Sequence, residues 1–251
     1  MKNLVIIFSL IFSQFSFASA LVCKDEANKV IRIMAIYNFY GSGAVKFAKP
    51  CADEIKNSYN QNFKIRLNNV GDWYKLNVEI QHKTISEKDV FENQVHRNLK
   101  PHVNYARIGS PVKELIDISE HDLHGNHGYF RIEDNLGISK TCAHEFGHGL
   151  GLQHPNHWLK KSSCDIRGSG VPGIMTPRGC LVDKKYQYDP KKPAGAKGGT
   201  INPALREVRD YEITSLNLGD LDFIQVSNSI SCATLGNEDI GFYFENGYKP
   251  F

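Results

Sequence analysis

The chain has 251 residues, a formal net charge of +3 and six cysteines. Such a length suits a single domain with a sizeable core. So mild a charge gives no sign of nucleic acid or a polyanionic substrate as the partner, and no internal repeat or heptad pattern is visible.

Residues 1–20 read as an export leader. Lys2 supplies the positive start, Leu4 to Phe12 the apolar stretch, and Ala18-Ser19-Ala20 a small-x-small site that predicts cleavage after Ala20. The apolar stretch is too short and too interrupted by Ser and Gln for a membrane span, and no later run approaches that length. Val22 stands where a lipoprotein cut needs a small residue, which argues against a lipid anchor at Cys23. The expectation is a secreted or periplasmic protein, residues 21–251 forming one domain with no membrane span.

Val30 to Tyr40 is β-branched and aromatic, and predicts a strand. Gly41-Ser42-Gly43 then turns the chain into a helix over Ala44 to Tyr59. Phe63 to Asn68 and Tyr74 to Gln81 read as strands joined by a turn around Gly71-Asp72. Glu87 to Leu99 carries weak helical patterning, and His102 to Ile108 and Gly128 to Glu133 are further strands. A helix capped by Ser139 follows. Beyond His154 the pattern is irregular, and Lys184 to Thr200, rich in Lys, Pro and Gly, predicts an exposed loop. Leu205 to Leu218 regains helical spacing through Leu205, Val208, Ile213 and Leu216. This order of elements predicts an α+β fold.

The chemistry is carried by His144-Glu145-Phe146-Gly147-His148-Gly149-Leu150-Gly151-Leu152-Gln153-His154. Residues four apart on a helix share a face, so His144 and His148 can hold one metal ion. Glu145 projects beside that ion, where a general base can take a proton from water. A helix continued past His148 would carry His154 out of reach. Gly151, free to adopt positive φ, can end it and fold the chain back so that His154 becomes the third ligand.

This spacing resembles the zinc signature of the metzincin metalloproteases, which also carry a methionine turn downstream. Gly173-Ile174-Met175-Thr176-Pro177 is similar to that turn, with Met175 beneath the metal. Pro177 resembles the matrixin and adamalysin branches, and Pro155 after His154 favours the matrixin side. The resemblance spans about 139–177. It implies a metzincin-like fold: a twisted mixed sheet with an active-site helix in an upper subdomain (about 21–151), and a mostly irregular lower subdomain (about 152–251) ending in a helix. It implies a zinc endopeptidase acting on protein or peptide substrates by attack of a zinc-bound water, with Glu145 as general base and His144, His148 and His154 as ligands. It further implies that substrate lies extended along an edge strand between Val103 and Ile132, and that the loop near Pro177 to Tyr188 shapes the pocket just beyond the scissile bond. Two other readings remain: a zinc peptidase acting on cell-wall peptide cross-links, and a non-catalytic binding protein with a protease shell.

Six cysteines in an exported chain predict up to three disulfides. Cys164 with Cys180 would staple the methionine turn, and Cys23 has Cys51 or Cys232 as partners. A free Cys23 would instead suit a latency thiolate. Glu120-His121-Asp122-Leu123-His124-Gly125-Asn126-His127 is dense in metal-capable side chains, where matrixins hold structural zinc and calcium. The family's spacing is not reproduced there, and a solvated polar loop is the preferred reading. His157 reads as a surface residue, and His82, His96 and His102 have no named role.

Overall fold

A computed structural model describes residues 19–67, 71–92, 100, 102–110, 118–155 and 164–235. Strand β2 (Val30–Tyr40) is the spine of a nine-stranded mixed sheet. Its side chains alternate: Ile31, Ile33, Ala35, Tyr37 and Phe39 are buried on one face, as a period of two requires. One edge of β2 pairs in parallel with β4 (Trp73–Thr84), which pairs in turn with the short β3 (Lys64–Arg66). Two strands share the other edge end to end. Strand β1 (Ala20–Asp25) runs antiparallel to residues 30–34, and β5 (Val103–Gly109) runs parallel to residues 36–40.

The sheet extends outward from those two strands. From β5 it continues through parallel β7 (His127–Arg131) to β6 (Glu120–His121), an antiparallel strand at the rim. From β1 it continues through β9 (Ile230–Leu235) to β8 (Ile224–Gln225). The disulfide Cys23–Cys232 crosses the β1–β9 pair.

Helix α1 (Ala44–Tyr59) turns Ala44, Ala48, Cys51, Ile55 and Tyr59 toward the buried face of β2, the stripe of a period-3.6 helix. Helix α2 (Glu87–Glu92) is short, and the rest of the helix expected to Leu99 lies outside the described residues. Helix α3 (Thr141–Gly149) packs against α1, and the disulfide Cys51–Cys142 joins them. Phe146 of α3 meets Tyr59 edge-on at 5.3 Å and Tyr37 at 6.2 Å, so the aromatic core lies directly under the histidine helix.

The expected α+β class holds, with corrections in detail. Strands β1 and β9 were not foreseen, and Ala20, expected to end the leader, is buried in β1 opposite Leu235. Residues 1–18 lie outside the described part. Ser139 does not cap α3: its hydroxyl pairs with that of Thr141 at 2.7 Å, and Lys140 at the cap position is left-handed. Glu54 of α1 replaces it, its Oε1 accepting from the Ala143 N–H at 3.0 Å. A carboxylate at the helix N-terminus satisfies a donor that α3 leaves open.

The helix expected over Leu205 to Leu218 is also broken. Pro203–Leu205 is a 3₁₀ turn, α4 (Asp210–Thr214) spans barely more than one turn, and Leu218–Asp220 is 3₁₀ again. The Glu207 N–H is spent on Pro172 O, so this stretch is extended against 172–173 and cannot coil. Val208, Ile213 and Leu216 are buried nonetheless. Lys184 to Thr200 is a largely exposed loop, as its composition predicts. No helix among the described residues is long and apolar enough to cross a membrane.

Candidate metal centre

Helix α3 carries His144 and His148 one turn apart, with ring centroids 4.9 Å from each other. Past Gly149 the chain reverses. The Leu152 N–H reaches back to Gly147 O and the Gly151 N–H to His148 O, both at 2.8 Å, a Schellman closure with Gly151 at φ +92°. A side chain at 151 would be strained there and would also strike the His124 ring. The reversal brings His154 Nε2 to 3.1 Å from both His144 Nε2 and His148 Nε2. Among the described residues these three form the one group whose ligand atoms, all within 4.8 Å of one another, could hold a metal ion.

The outer nitrogens fix the tautomers. His144 Nδ1 lies 2.7 Å from Ile174 O, and His148 Nδ1 lies 2.9 Å from Leu152 O. A carbonyl has no proton to give, so each Nδ1 must donate, and each Nε2 keeps its lone pair for the shared centre. Burial holds all three imidazoles below the usual histidine value, His154 at about 4, so they are neutral at neutral pH. Neutral nitrogen donors converging on one point fit a zinc-like divalent cation.

Met175 lies beneath the helix. A Cβ on Gly147 would collide with the Met175 thioether, so glycine at 147 allows the methionine to sit under the helix. The turn carrying Met175 is held by Glu212 of α4. Its carboxylate accepts from the backbone N–H groups of Ile174 (3.1 Å), Met175 (2.8 Å) and Arg209 (2.9 Å). Burial pushes this carboxyl up to about 7, and the three N–H bonds pull the other way.

Glu145 follows the first histidine and is buried. Burial raises its carboxyl to about 8, with Arg206 the nearest opposing influence. Arg206, 2% exposed, donates to three carbonyls: Pro203 O (3.2 Å), Thr176 O (3.0 Å) and Ser139 O (3.3 Å). Its Nη1 also approaches His144 Nδ1 to 2.9 Å. Because that nitrogen already donates to Ile174 O, the approach is a crowded contact rather than a hydrogen bond.

These groups line a cleft of about 890 Å³, with Ile118 to His121 of the β6 rim along one lip and Pro177 and Arg178 on the other. A larger hollow of about 1040 Å³ lies between β3 and the 210–220 segment, far from the histidines. Its lining holds no metal-ligating cluster, so a metal ion would sit in the smaller cleft. Arg178 is fastened to two other lining residues, with Nη1 2.8 Å from Asp134 and Nη2 donating to the Thr141 hydroxyl at 3.0 Å.

The loop 120–127 is solvated in part, as expected: Glu120, Asp122, Leu123 and His124 are exposed. His121 and Asn126 are buried, and His121 packs against Tyr37 with Nε2 3.4 Å from its hydroxyl. The Cys164–Cys180 and Cys23–Cys232 disulfides match two of the expected pairings, and Cys51 takes Cys142. No cysteine is free, which removes the basis for a latency thiolate at Cys23. His102 is buried away from the cleft and His82 is exposed, while His96 and His157 lie outside the described residues.

Sequence reasoning missed Glu54, Arg206 and Glu212. For Glu54 a signal exists: it stands three residues after Cys51 and one before Ile55, on the apolar face of α1. For the other two, the partners are backbone atoms remote in sequence, and nothing local announces them. Neither a protein-family model nor a curated protein matches this sequence.

Proposed function

We propose that the chain is an exported zinc-dependent endopeptidase of the metzincin type. The observation that carries this reading is the convergence of three histidine nitrogens at one point, with the buried Glu145 carboxyl on the same helix. Zinc bound there would polarise a peptide carbonyl and make a water molecule acidic enough to attack it. Glu145 takes the proton from the attacking water and hands it to the departing amine. His144 and His148 are held in register by Ile174 O and Leu152 O, so the ligands need no rearrangement to bind.

Substrate binding follows from the rim. Strand β6 ends the sheet, with β7 its partner on one side only among the described residues. An extended peptide can add to that edge by main-chain hydrogen bonds, which leaves its side chains to select sequence. Three disulfides suit an oxidising, extracellular compartment.

The decisive experiment is Glu145→Ala with metal analysis. The variant is expected to keep one zinc per chain and to lose at least about a thousandfold in peptide hydrolysis, the scale of a lost general base. Undiminished turnover would overturn the assignment.

A further inference from the structure

The leader expected to end at Ala20 conflicts with the fold over its last two residues. Ala20 is fully buried and pairs with Leu235 in the β1–β9 ladder. Ser19 is fully buried as well, and its carbonyl accepts from Asn104 Nδ2 at 2.9 Å. Its hydroxyl stands at the end of α3, where a Cβ on Gly149 would come within 3.1 Å of both Ser19 Oγ and the His121 ring. A cut after Ala20 would remove all of this. Asn104 Nδ2 would be left with carbonyls no nearer than 3.4 Å. A charged α-amine would also fall on Leu21, which is 2% exposed and sits inside the ladder.

The sequence offers a second place to cut. Leader cleavage reads small residues at the first and third positions before the bond. Ala18-Ser19-Ala20 meets that need for a cut after Ala20, and Ser16-Phe17-Ala18 meets it for a cut after Ala18. Of the two, only the cut after Ala18 keeps β1 whole.

We propose that the leader is removed after Ala18, so that the mature chain begins at Ser19 and its N-terminus docks at the end of the histidine helix. This rests on the export half of the reading above and not on the catalytic half. The docking place is rich in acceptors. Ser19 Oγ, Asn104 Oδ1 and Asn126 Oδ1 are buried without a hydrogen-bond partner. Asn104 and Asn126 lie side by side, since the Tyr105 N–H donates to Asn126 O at 2.8 Å. A free α-amine brings three N–H donors to this spot, where a peptide nitrogen brings one. Unmatched buried acceptors are costly, so the added donors stabilise the mature form.

The test expresses the full chain with its leader in a secreting host and reads the first residue of the product by intact mass and N-terminal sequencing. Ser19 is expected. A product that begins at Leu21 or at any other residue, or that keeps its leader, would overturn the proposal. The physical ground is tested with two disulfide-bonded chains released from a carrier, one beginning at Ser19 and one at Leu21. The shorter chain is expected to melt at least about 4 °C lower, the shift that a lost buried pairing produces in a domain of this size. Failure of the shorter chain to fold would agree with the proposal, and equal melting would overturn it. Peptide hydrolysis is read separately: a chain that begins at Ser19 but cleaves nothing would sink the peptidase reading alone, and an active chain that begins at Leu21 would sink this proposal alone.

Discussion

Residues 20–149 and residues 164–235 hold their shape in contrasting ways. In the first region alternating apolar side chains on β2 and a 3.6-residue stripe on α1 close over an aromatic centre, with Tyr37, Phe39 and Phe146 fully buried. In the second, regular structure before β8 is limited to short helical turns and isolated bridges at 165–181, 173–207 and 187–201. It has a small apolar cluster around Val182 and Ile201 beside the Cys164–Cys180 bridge, and next to the histidines it is organised by polar groups: Glu212 gathers three backbone N–H groups and Arg206 three carbonyls. Hydrophobic patterning builds the platform for the two helical histidines, while buried ionic side chains shape the floor beneath them.

If that contrast is right, damage to the two regions should differ in kind. The largest effect is expected for Phe146→Ala, which empties a fully buried aromatic site under α3 and should cost about 3–5 kcal/mol. Urea unfolding should show it as a global loss, with zinc binding weakened as well. A loss under about 1 kcal/mol would mean that the core is not centred where the aromatic rings meet.

Glu212→Ala should cost less, about 2–3 kcal/mol, because it leaves buried N–H groups without an acceptor. Its damage should be local. Amide exchange at Ile174 and Met175 should accelerate while β2 and β4 stay protected, and unchanged exchange at those two residues would break the distinction.

The most gradual effect, and the smallest over any one pH unit, concerns acid. His121 is buried and held at about 4, against 6.5 in the unfolded chain. The unfolded state therefore binds the proton first as pH falls. The stability from neutral His121 is complete above about 6.5 and is lost as pH drops toward 4, by about 1 kcal/mol per pH unit. Melting temperatures of the zinc-free protein over that range should fall, and His121→Gln should flatten the slope. An identical slope in the variant would sink the attribution.

The same contrast explains what could be read in the sequence. Val30–Tyr40 and Ala44–Tyr59 have the bounds their periodicity predicts, because burial of one face dictates both pattern and structure. The histidine site was legible for a related reason: its three ligands lie within eleven residues, so helix geometry and one glycine turn suffice to join them. The 205–218 segment misled because Val208 and Leu216 are buried without lying in a helix and only Asp210–Thr214 coils, the backbone at Glu207 being engaged with Pro172. Strand β1 was hidden because Ala20 to Asp25 adjoins the apolar stretch read as a leader and its partner β9 lies some two hundred residues away. Arg206 and Glu212 act on distant main chain, and neither position has a spacing to give it away.

The bridge between Cys23 and Cys232 has a consequence for wear in a protein-digesting environment. The exposed stretch 190–197 lies between those two cysteines in the chain. One backbone cut there would produce two polypeptides still tied through sulfur, with the β1–β9 ladder as a second fastening. Nicked molecules would thus keep Glu212, whose carboxylate holds the Met175 turn, on the same covalent body as the histidine helix until a reductant set them apart.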